Sequence, residues 1–317
     1  MSAEPEFSIV TTCYYEEQSI DEFYTRLRAT AESLGRSYEL VMVNDGSTDR
    51  TFEKLKGFFD RDPRVTTIID LYRNAGQVNA MTAGLTHARG RAIVFMDSDL
   101  QLDPEDLPTL VREYDQGYDI VSGYRKDRKG PFLRKIPSML ANVVMRKVAR
   151  HELSDFGCTY KIYDAKLVRA FEFGPFKPWR TAYVFSRAQR CREVPVSHHE
   201  RKYGESGWTY RRLFGFFMDH LVGISERPFQ LISLVCLAFA ALFAARIALA
   251  WVVPFQFLPV VTTGILLNAI AISLLIVLSV LAAIGEYVLR NFLTMQRYPG
   301  YIIREIHQKE SPVGVEG

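Results

Sequence analysis

From Phe257 to Gly285 the chain runs for 29 residues without one charged side chain, and from Phe229 to Val253 its only charge is Arg246. Each run exceeds the roughly 20 residues an α-helix needs to cross a hydrocarbon core about 30 Å thick. Pro254-Phe255-Gln256 separates them, room for a tight turn and nothing longer. The pattern predicts a hairpin of two transmembrane helices, 229–253 and 257–285, because buried helices of soluble cores rarely stay uncharged for so long. Basic residues set its orientation. The turn has none, whereas Arg211, Arg212 and Arg227 precede the first run and Arg290, Arg297, Arg304 and Lys309 follow the second. By the positive-inside rule both flanks face the cytoplasm. The expectation is a multi-pass protein of the inner (cytoplasmic) membrane, with its N-terminal domain inside and a cytoplasmic tail over 286–317. Arg246, about two turns before the hairpin tip, is within snorkelling reach of the far interface. Over 209–228, Tyr210, Leu213, Phe214, Phe217 and Leu221 recur at helical spacing. They fit a helix lying in the headgroup layer, or equally one packed on the soluble domain.

Residues 1–208 have a different texture. Apolar, β-branched runs at Phe7–Cys13, Leu40–Val43, Val65–Leu71, Ala92–Met96 and Ile120–Ser122 alternate with helical patterns such as Ile20, Phe23, Tyr24, Leu27, Leu34 and then Phe52, Leu55, Phe59. That alternation predicts an α/β domain with a mostly parallel sheet. With 39 Lys+Arg against 36 Asp+Glu the charge is too even for a nucleic-acid binder, and an aromatic content of 13% excludes a disordered chain. Cys13, Cys158, Cys191 and Cys236 stand far apart, which argues against a disulfide framework or a cysteine zinc site and for a reducing compartment. The first residues lack the basic and apolar regions of a signal peptide. Neither G-x-G-x-x-G nor G-x-x-x-x-G-K-[ST] occurs, so the usual dinucleotide and P-loop readings fall away.

Ligands of open α/β sheets bind beyond the carboxyl ends of the strands. Here those ends are acidic. The Leu40–Val43 strand runs into Asn44-Asp45-Gly46-Ser47-Thr48-Asp49, where an Asp can accept from a nucleobase N–H and Gly46 lets the backbone turn. The Ala92–Met96 strand ends at Asp97-Ser98-Asp99-Leu100-Gln101. Two carboxylates two residues apart can hold a divalent cation and leave other coordination places for phosphate oxygens.

With Ser8–Glu17, Asn44–Asp49, Asp97–Gln101 and the apolar hairpin, the chain resembles inverting family-2 glycosyltransferases of the GT-A fold. More narrowly it resembles the polyprenyl-phosphate glycosyltransferases, among them the dolichyl-phosphate mannose synthases and bactoprenol glucosyltransferases. Asp155-Phe156-Gly157-Cys158, His198-His199-Glu200-Arg201-Lys202-Tyr203-Gly204-Glu205-Ser206 and Gly285-Glu286-Tyr287 bring it nearest to the undecaprenyl-phosphate 4-deoxy-4-formamido-L-arabinose transferases. The resemblance implies a nucleotide sugar donor and a polyprenyl phosphate acceptor in a lipid bilayer. It implies that Tyr14, Glu16, Asp45 and Asp97 hold the nucleotide, and that Asp97, Asp99 and Gln101 bind Mg²⁺ or Mn²⁺ on the donor diphosphate. It places Arg125, Arg134, Ser138 and Arg201 on the acceptor phosphate, and Asp155 at the position of an acid proposed as the base. Two departures stand out. Thr12-Cys13-Tyr14-Tyr15-Glu16-Glu17 replaces the usual Pro-Val-Tyr-Asn-Glu-Glu, and Ser206-Gly207-Trp208 lacks the lysine of the usual Ser-Lys-Tyr.

A phosphate monoester with a second pKa of ~6 is largely a dianion at neutral pH, so a strong base is less necessary than for a hydroxyl acceptor. Asp155 is then either the base or a group that orients a sugar hydroxyl or Arg201. Guanidinium matches phosphate bidentately, which suits the arginines. His198 and His199, adjacent on an extended segment, point to opposite faces and suit structural use better than a metal pair. A processive polysaccharide synthase would share the D-x-D but needs Q-x-x-R-W; Gln189-Arg190-Cys191-Arg192-Glu193 lacks the Trp, and two spans are few for a channel. A non-catalytic lipid-binding scaffold of the same fold is the other alternative, disfavoured by intact Asp97, Asp99 and Gln101. Small residues Ala240, Ala241, Ala244 and Ala245 offer a face for a homo-oligomer. The sugar itself stays open.

Overall fold

Strands that are apolar at nearly every position need cover on both faces, and the helices between them supply it. The computed structural model describes residues 4–126, 151, 153–199, 261–295 and 298–309. Phe7–Cys13 (β1), Tyr38–Asn44 (β2), Val65–Leu71 (β3) and Ala92–Asp97 (β4) are linked by the helices Ile20–Ser33 (α1), Thr51–Arg61 (α2) and Gln77–Leu85 (α3). After a turn of 3₁₀ helix come Leu107–Tyr114 (α4), Ile120–Arg125 (β5), Lys161–Asp164 (β6), Ala165–Arg169 (α5), Thr181–Arg187 (α6) and Cys191–Val196 (β7). The last described elements are Val261–Met295 (α7) and Ile303–Gln308 (β8). The chain divides into two compact units: Met1–Thr209 with Pro299–Gly317, and Tyr210–Tyr298.

The first unit is built on one sheet of order β7-β5-β6-β4-β1-β2-β3-β8. β6 and β8 run antiparallel to their neighbours and the other six strands are parallel, as the sequence pattern predicts. One face carries the larger core, in which Phe7, Ile9, Leu40 and Met42 meet Phe23 and Leu27 of α1 and Phe58 of α2. On the other face Val43 and Ile69 meet Ala80 and Ala83 of α3. The close approach of α3 requires Gly84, where a Cβ would lie 2.5 Å from Val10 Cγ1.

β8 is a finding rather than an expectation. It pairs antiparallel with β3, Ile306 opposite Ile69. The stretch 286–317, read as a tail, therefore contains the end of α7 and a strand of the sheet. Lys309 Nζ donates to the carbonyls of Phe59 and Asp62, and its own carbonyl accepts from Arg89 at 3.4 Å.

The second unit is described over α7 and Tyr298. This helix has 35 residues, about 52 Å at 1.5 Å per residue. Leu266, Ile270, Leu274, Val277, Leu281 and Ile284 are exposed along it. Among the described residues no helix counts as long and apolar enough to cross a membrane. The fold therefore stands as an α/β unit with a mostly parallel sheet, and the membrane hairpin is not part of what the structure establishes. The first apolar run 229–253 and the segment 209–228 lie outside the described residues.

One buried charge holds the end of the sheet opposite the acidic turns. Glu39, fully buried, accepts from Ser8 Oγ, Thr66 Oγ1, and the backbone N, Nε and Nη2 of Arg89. Removing the guanidinium leaves a carboxylate buried without its counter-charge. Arg89→Ala is expected to lower the unfolding free energy by about 3 kcal/mol in urea titrations. A loss below about 1 kcal/mol would show that the remaining hydrogen bonds and solvent suffice.

Candidate functional site at the carboxyl edge of the sheet

The register of β1 with its two neighbours sets the site. Cys13 lies opposite Asn44, and Thr12 opposite Asp97, so the turns leaving β1, β2 and β4 emerge side by side. At the first turn Tyr14 and Tyr15 stand half exposed with ring centroids 4.6 Å apart at 70°. Tyr15 has a φ of 56°, which its N–H to Ser47 Oγ (3.0 Å) and its hydroxyl contact with Thr48 Oγ1 (3.0 Å) support. Glu16 is buried, its N–H donating to Thr51 Oγ1 at 3.0 Å and its carboxylate accepting from Ser19.

Asp45 is 3% exposed. Its carboxylate accepts from Ala75 N (2.7 Å), Asn74 Nδ2 (3.0 Å) and Gly76 N (3.1 Å). Burial pushes its pKa up to about 6 against the pull of those donors. Gly46, with φ 68°, is obligatory here, since a Cβ would sit 2.3 Å from the carbonyl carbon of Arg73.

Asp97 accepts from Gln77 Nε2 at 2.5 Å and from Thr159 Oγ1 at 2.6 Å. Its turn continues through Ser98, whose hydroxyl donates to Thr12 O, and Leu100 at φ 56°, to Gln101, whose N–H donates to Asp99 Oδ1 at 3.1 Å. Among the described residues no group of three or more His, Cys, Asp or Glu gathers as a metal cage. The oxygen donors of Asp97, Asp99 and Gln101 on one turn are of the type that suits a hard divalent cation.

Arg125 closes β5 on the same edge. Its Nε and Nη2 donate to the two oxygens of Asp155 at 2.7 and 2.8 Å, and its backbone N–H adds a third bond at 3.3 Å. Burial alone would raise the Asp155 pKa, but the Arg125 guanidinium outweighs it and holds the carboxyl below the usual carboxylate range. Glu193 of β7 accepts from the N–H groups of Ser154 and Asp155, and buried Lys161 donates to Phe156 O at 3.3 Å. Burial lowers the Lys161 pKa.

The structure thus brings Tyr14, Glu16, Asp45, Asp97, Asp99, Gln101, Arg125 and Asp155 to one edge. Arg134, Ser138 and Arg201 lie outside the described residues. Sequence reasoning missed Gln77, Thr159 and the loop Asn74–Gly76, which carry no motif. The position of that loop is a signal, because it leaves β3 beside β2 and so must border Asp45. Gln189 and Arg190 donate their N–H groups to Asp119, a structural use for the segment compared with Q-x-x-R-W.

Residues 8–171 match the model of the family described as "Glycosyl transferase family 2". The dodecaprenyl-phosphate galacturonate synthase of Rhizobium johnstonii is 34% identical, over 96% of this chain and 94% of its own. The undecaprenyl-phosphate 4-deoxy-4-formamido-L-arabinose transferase of Edwardsiella ictaluri is 31% identical, over 96% and 95%. Crystal structures of glucosyl-3-phosphoglycerate synthase from Mycobacterium tuberculosis are similar in fold. The complex with UDP has a TM-score of 0.51 at 16% identity, covering 71% of this chain and 80% of that one. The complex with Mn²⁺, UDP and phosphoglyceric acid has a TM-score of 0.51 at 18% identity, covering 71% and 79%. The mostly parallel α/β unit is GT-A-like.

The Arg125–Asp155 ion pair has side chains 16% and 13% exposed. Asp155→Ala leaves the guanidinium buried alone and is expected to cost about 3 kcal/mol at pH 7. Because the folded carboxyl has the depressed pKa, its contribution is present above the unfolded value and is lost as pH falls through the folded one. The gap in unfolding free energy between wild type and Asp155→Ala should therefore shrink as pH is lowered from about 5 towards 3. A gap that stays constant over that range would remove the pair from the balance.

Proposed function

We propose that this chain, which belongs to glycosyl transferase family 2 and is a glycosyltransferase, transfers a sugar from a nucleotide diphosphate sugar to a polyprenyl phosphate. The product is a lipid-linked monosaccharide. What carries the reading is the meeting of Asp45, Asp97 and the Arg125–Asp155 pair on one sheet edge. It does so in a chain whose relatives, matched over nearly their whole length, are named for polyprenyl-phosphate sugar transfer.

Tyr14 and Asp45 hold the base, and the carboxylate of Asp45 accepts from its N–H. Asp97 and Asp99, with Gln101, would hold Mg²⁺ or Mn²⁺, which would supply electrostatic stabilisation of the leaving diphosphate. An acceptor phosphate oxygen forms the new bond to the anomeric carbon as the bond to the diphosphate breaks, with inversion. Arg125, Arg134, Ser138 and Arg201 receive the acceptor phosphate. Since both oxygens of Asp155 face Arg125 and its pKa is held low, Asp155 orients that arginine rather than taking up a proton. The acceptor, largely a dianion, needs no strong base. UDP is the nucleotide favoured by this reading, and the sugar is left to a panel.

Membrane attachment follows the same reading. The chain leaves the sheet-bearing unit before Tyr210 and rejoins it at Pro299, where β8 is paired to β3. Both flanks of 210–298 therefore lie on one side of any bilayer, and crossings between them come in pairs. The apolar runs 229–253 and 257–285 supply one pair, with the sheet in the cytoplasm.

Two experiments test this. Full-length protein given undecaprenyl phosphate and a panel of UDP-sugars should yield one lipid-linked monosaccharide. EDTA should stop the transfer, and Mn²⁺ or Mg²⁺ restore it. Asp99→Asn should lose about a hundredfold or more in activity while folding normally. A polymer product, or full activity in Asp99→Asn, would sink the assignment. For topology, a cysteine replacing Gln256 should react with an impermeant thiol reagent outside sealed cells, and one replacing Glu316 should not. Labelling at position 316 would overturn the paired crossings.

A further inference from the structure

Asp97 ends β4 with each carboxylate oxygen engaged by a different part of the chain. Oδ1 accepts from Gln77 Nε2 at 2.5 Å, and Oδ2 from Thr159 Oγ1 at 2.6 Å. Gln77 opens α3, 20 positions before Asp97, and Thr159 stands 62 positions after it. Neither residue belongs to the acidic turns, and neither is used by the transfer proposed above. A carboxylate offers about four acceptor positions, so these two bonds do not by themselves exhaust Asp97. What they fix is the plane of the group. A carboxylate held at both oxygens cannot rotate about its Cβ–Cγ bond without losing one of its donors.

Both supports stand on fixed backbone. Gln77 follows Gly76, whose N–H donates to Asp45 Oδ2 at 3.1 Å, and it begins the helix that buries Ala80 and Ala83 against Val43 and Ile69. Thr159 lies between buried Cys158 and Tyr160. The Tyr160 carbonyl accepts from Gly123 N–H at 2.8 Å, and the Tyr160 hydroxyl donates to Pro104 O at 3.1 Å. Gln77 itself is exposed and Thr159 half-buried. An exposed glutamine adds little to a core, so its fixed place at Asp97 concerns the polar edge and not the packing.

We infer that Gln77 and Thr159 are positioning residues for the divalent cation, setting the orientation in which Asp97 meets it. The partners behind a metal-binding carboxylate fix its orientation, and their loss typically costs roughly ten- to a hundredfold in metal affinity. The inference rests on the reading above that Asp97 holds Mg²⁺ or Mn²⁺. It assigns neither residue a contact with metal or nucleotide. Asp45 keeps its own donors at Asn74, Ala75 and Gly76, so the base subsite is left as it is.

The test is a titration of Mn²⁺, followed by electron paramagnetic resonance, into full-length protein in detergent saturated with UDP. A calorimetric titration of UDP in EDTA runs beside it. Thr159→Val keeps the shape and removes the hydroxyl donor; Gln77→Met keeps the length and removes the amide. Each should raise the Kd for Mn²⁺ about tenfold and leave UDP affinity in EDTA within about twofold. Thr159→Ser, which restores the hydroxyl, should keep the wild-type Kd, and Asp97→Asn should raise it further than either variant. A merely structural role would lower Tm or weaken UDP binding in EDTA, with no selective effect on Mn²⁺. An unchanged Kd for Mn²⁺ in either Thr159→Val or Gln77→Met overturns the inference, as does a Thr159→Ser variant as weak as Thr159→Val. If Thr159→Val folds poorly, exposed Gln77→Met decides alone. A wild type whose Mn²⁺ affinity is untouched by Asp97→Asn overturns the metal reading as well. A sensitive Asp97→Asn beside indifferent Thr159→Val and Gln77→Met overturns this inference only.

Discussion

Everything at the candidate site depends on the hydrogen-bonded register of three parallel strands. β1 pairs with β2 on one side and β4 on the other, and each pairing ends within one residue of an acidic turn. Neighbouring strands lie about 4.8 Å apart, so a shift of one residue would move Asp45 or Asp97 by some 3.3 Å and turn its side chain to the other face. Burial on both faces forbids that slip. The precision of the polar edge is inherited from the apolar strands behind it, whose alternate residues fit different cores above and below.

The carboxylates of that edge are kept in different ways. Asp45 rests on backbone N–H groups, Asp97 on a neutral amide and a hydroxyl, and Asp155 on a guanidinium. Ion pairs occur along the edge at Arg125–Asp155 on β5 and at Arg304–Asp70 on β3.

How much of this could be read from the chain beforehand follows from burial and from separation in sequence. β1 to β5 were legible because strands covered on both faces are written as apolar runs. β7, Cys-Arg-Glu-Val-Pro-Val, and β8, Ile-Arg-Glu-Ile-His-Gln, are sheet edges with one open side, and their mixed sequences carry no comparable signal. β6 is four residues long and is recognisable only through its partners. In the site, Asp45 and the pair Asp97/Asp99 announced themselves as acids at strand ends. Gln77 and Thr159 did not, since an amide or hydroxyl becomes functional only when folding sets it against a carboxylate. Arg125 and Asp155 were each marked by resemblance, yet their mutual bond spans 30 positions and no local pattern encodes it.

The placement of β8 also bears on the order in which the protein is made. Residues 303–308 leave the ribosome after α7, so through most of synthesis β3 is an open edge with unpaired backbone groups. The N-terminal strands can collapse early, but the sheet reaches its final width only when the chain beyond α7 arrives. A nascent chain halted within α7 would carry the acidic edge without the lock that Lys309 sets on Phe59 and Asp62. The eighth strand of the sheet is thus supplied only after the apolar segment has been synthesised.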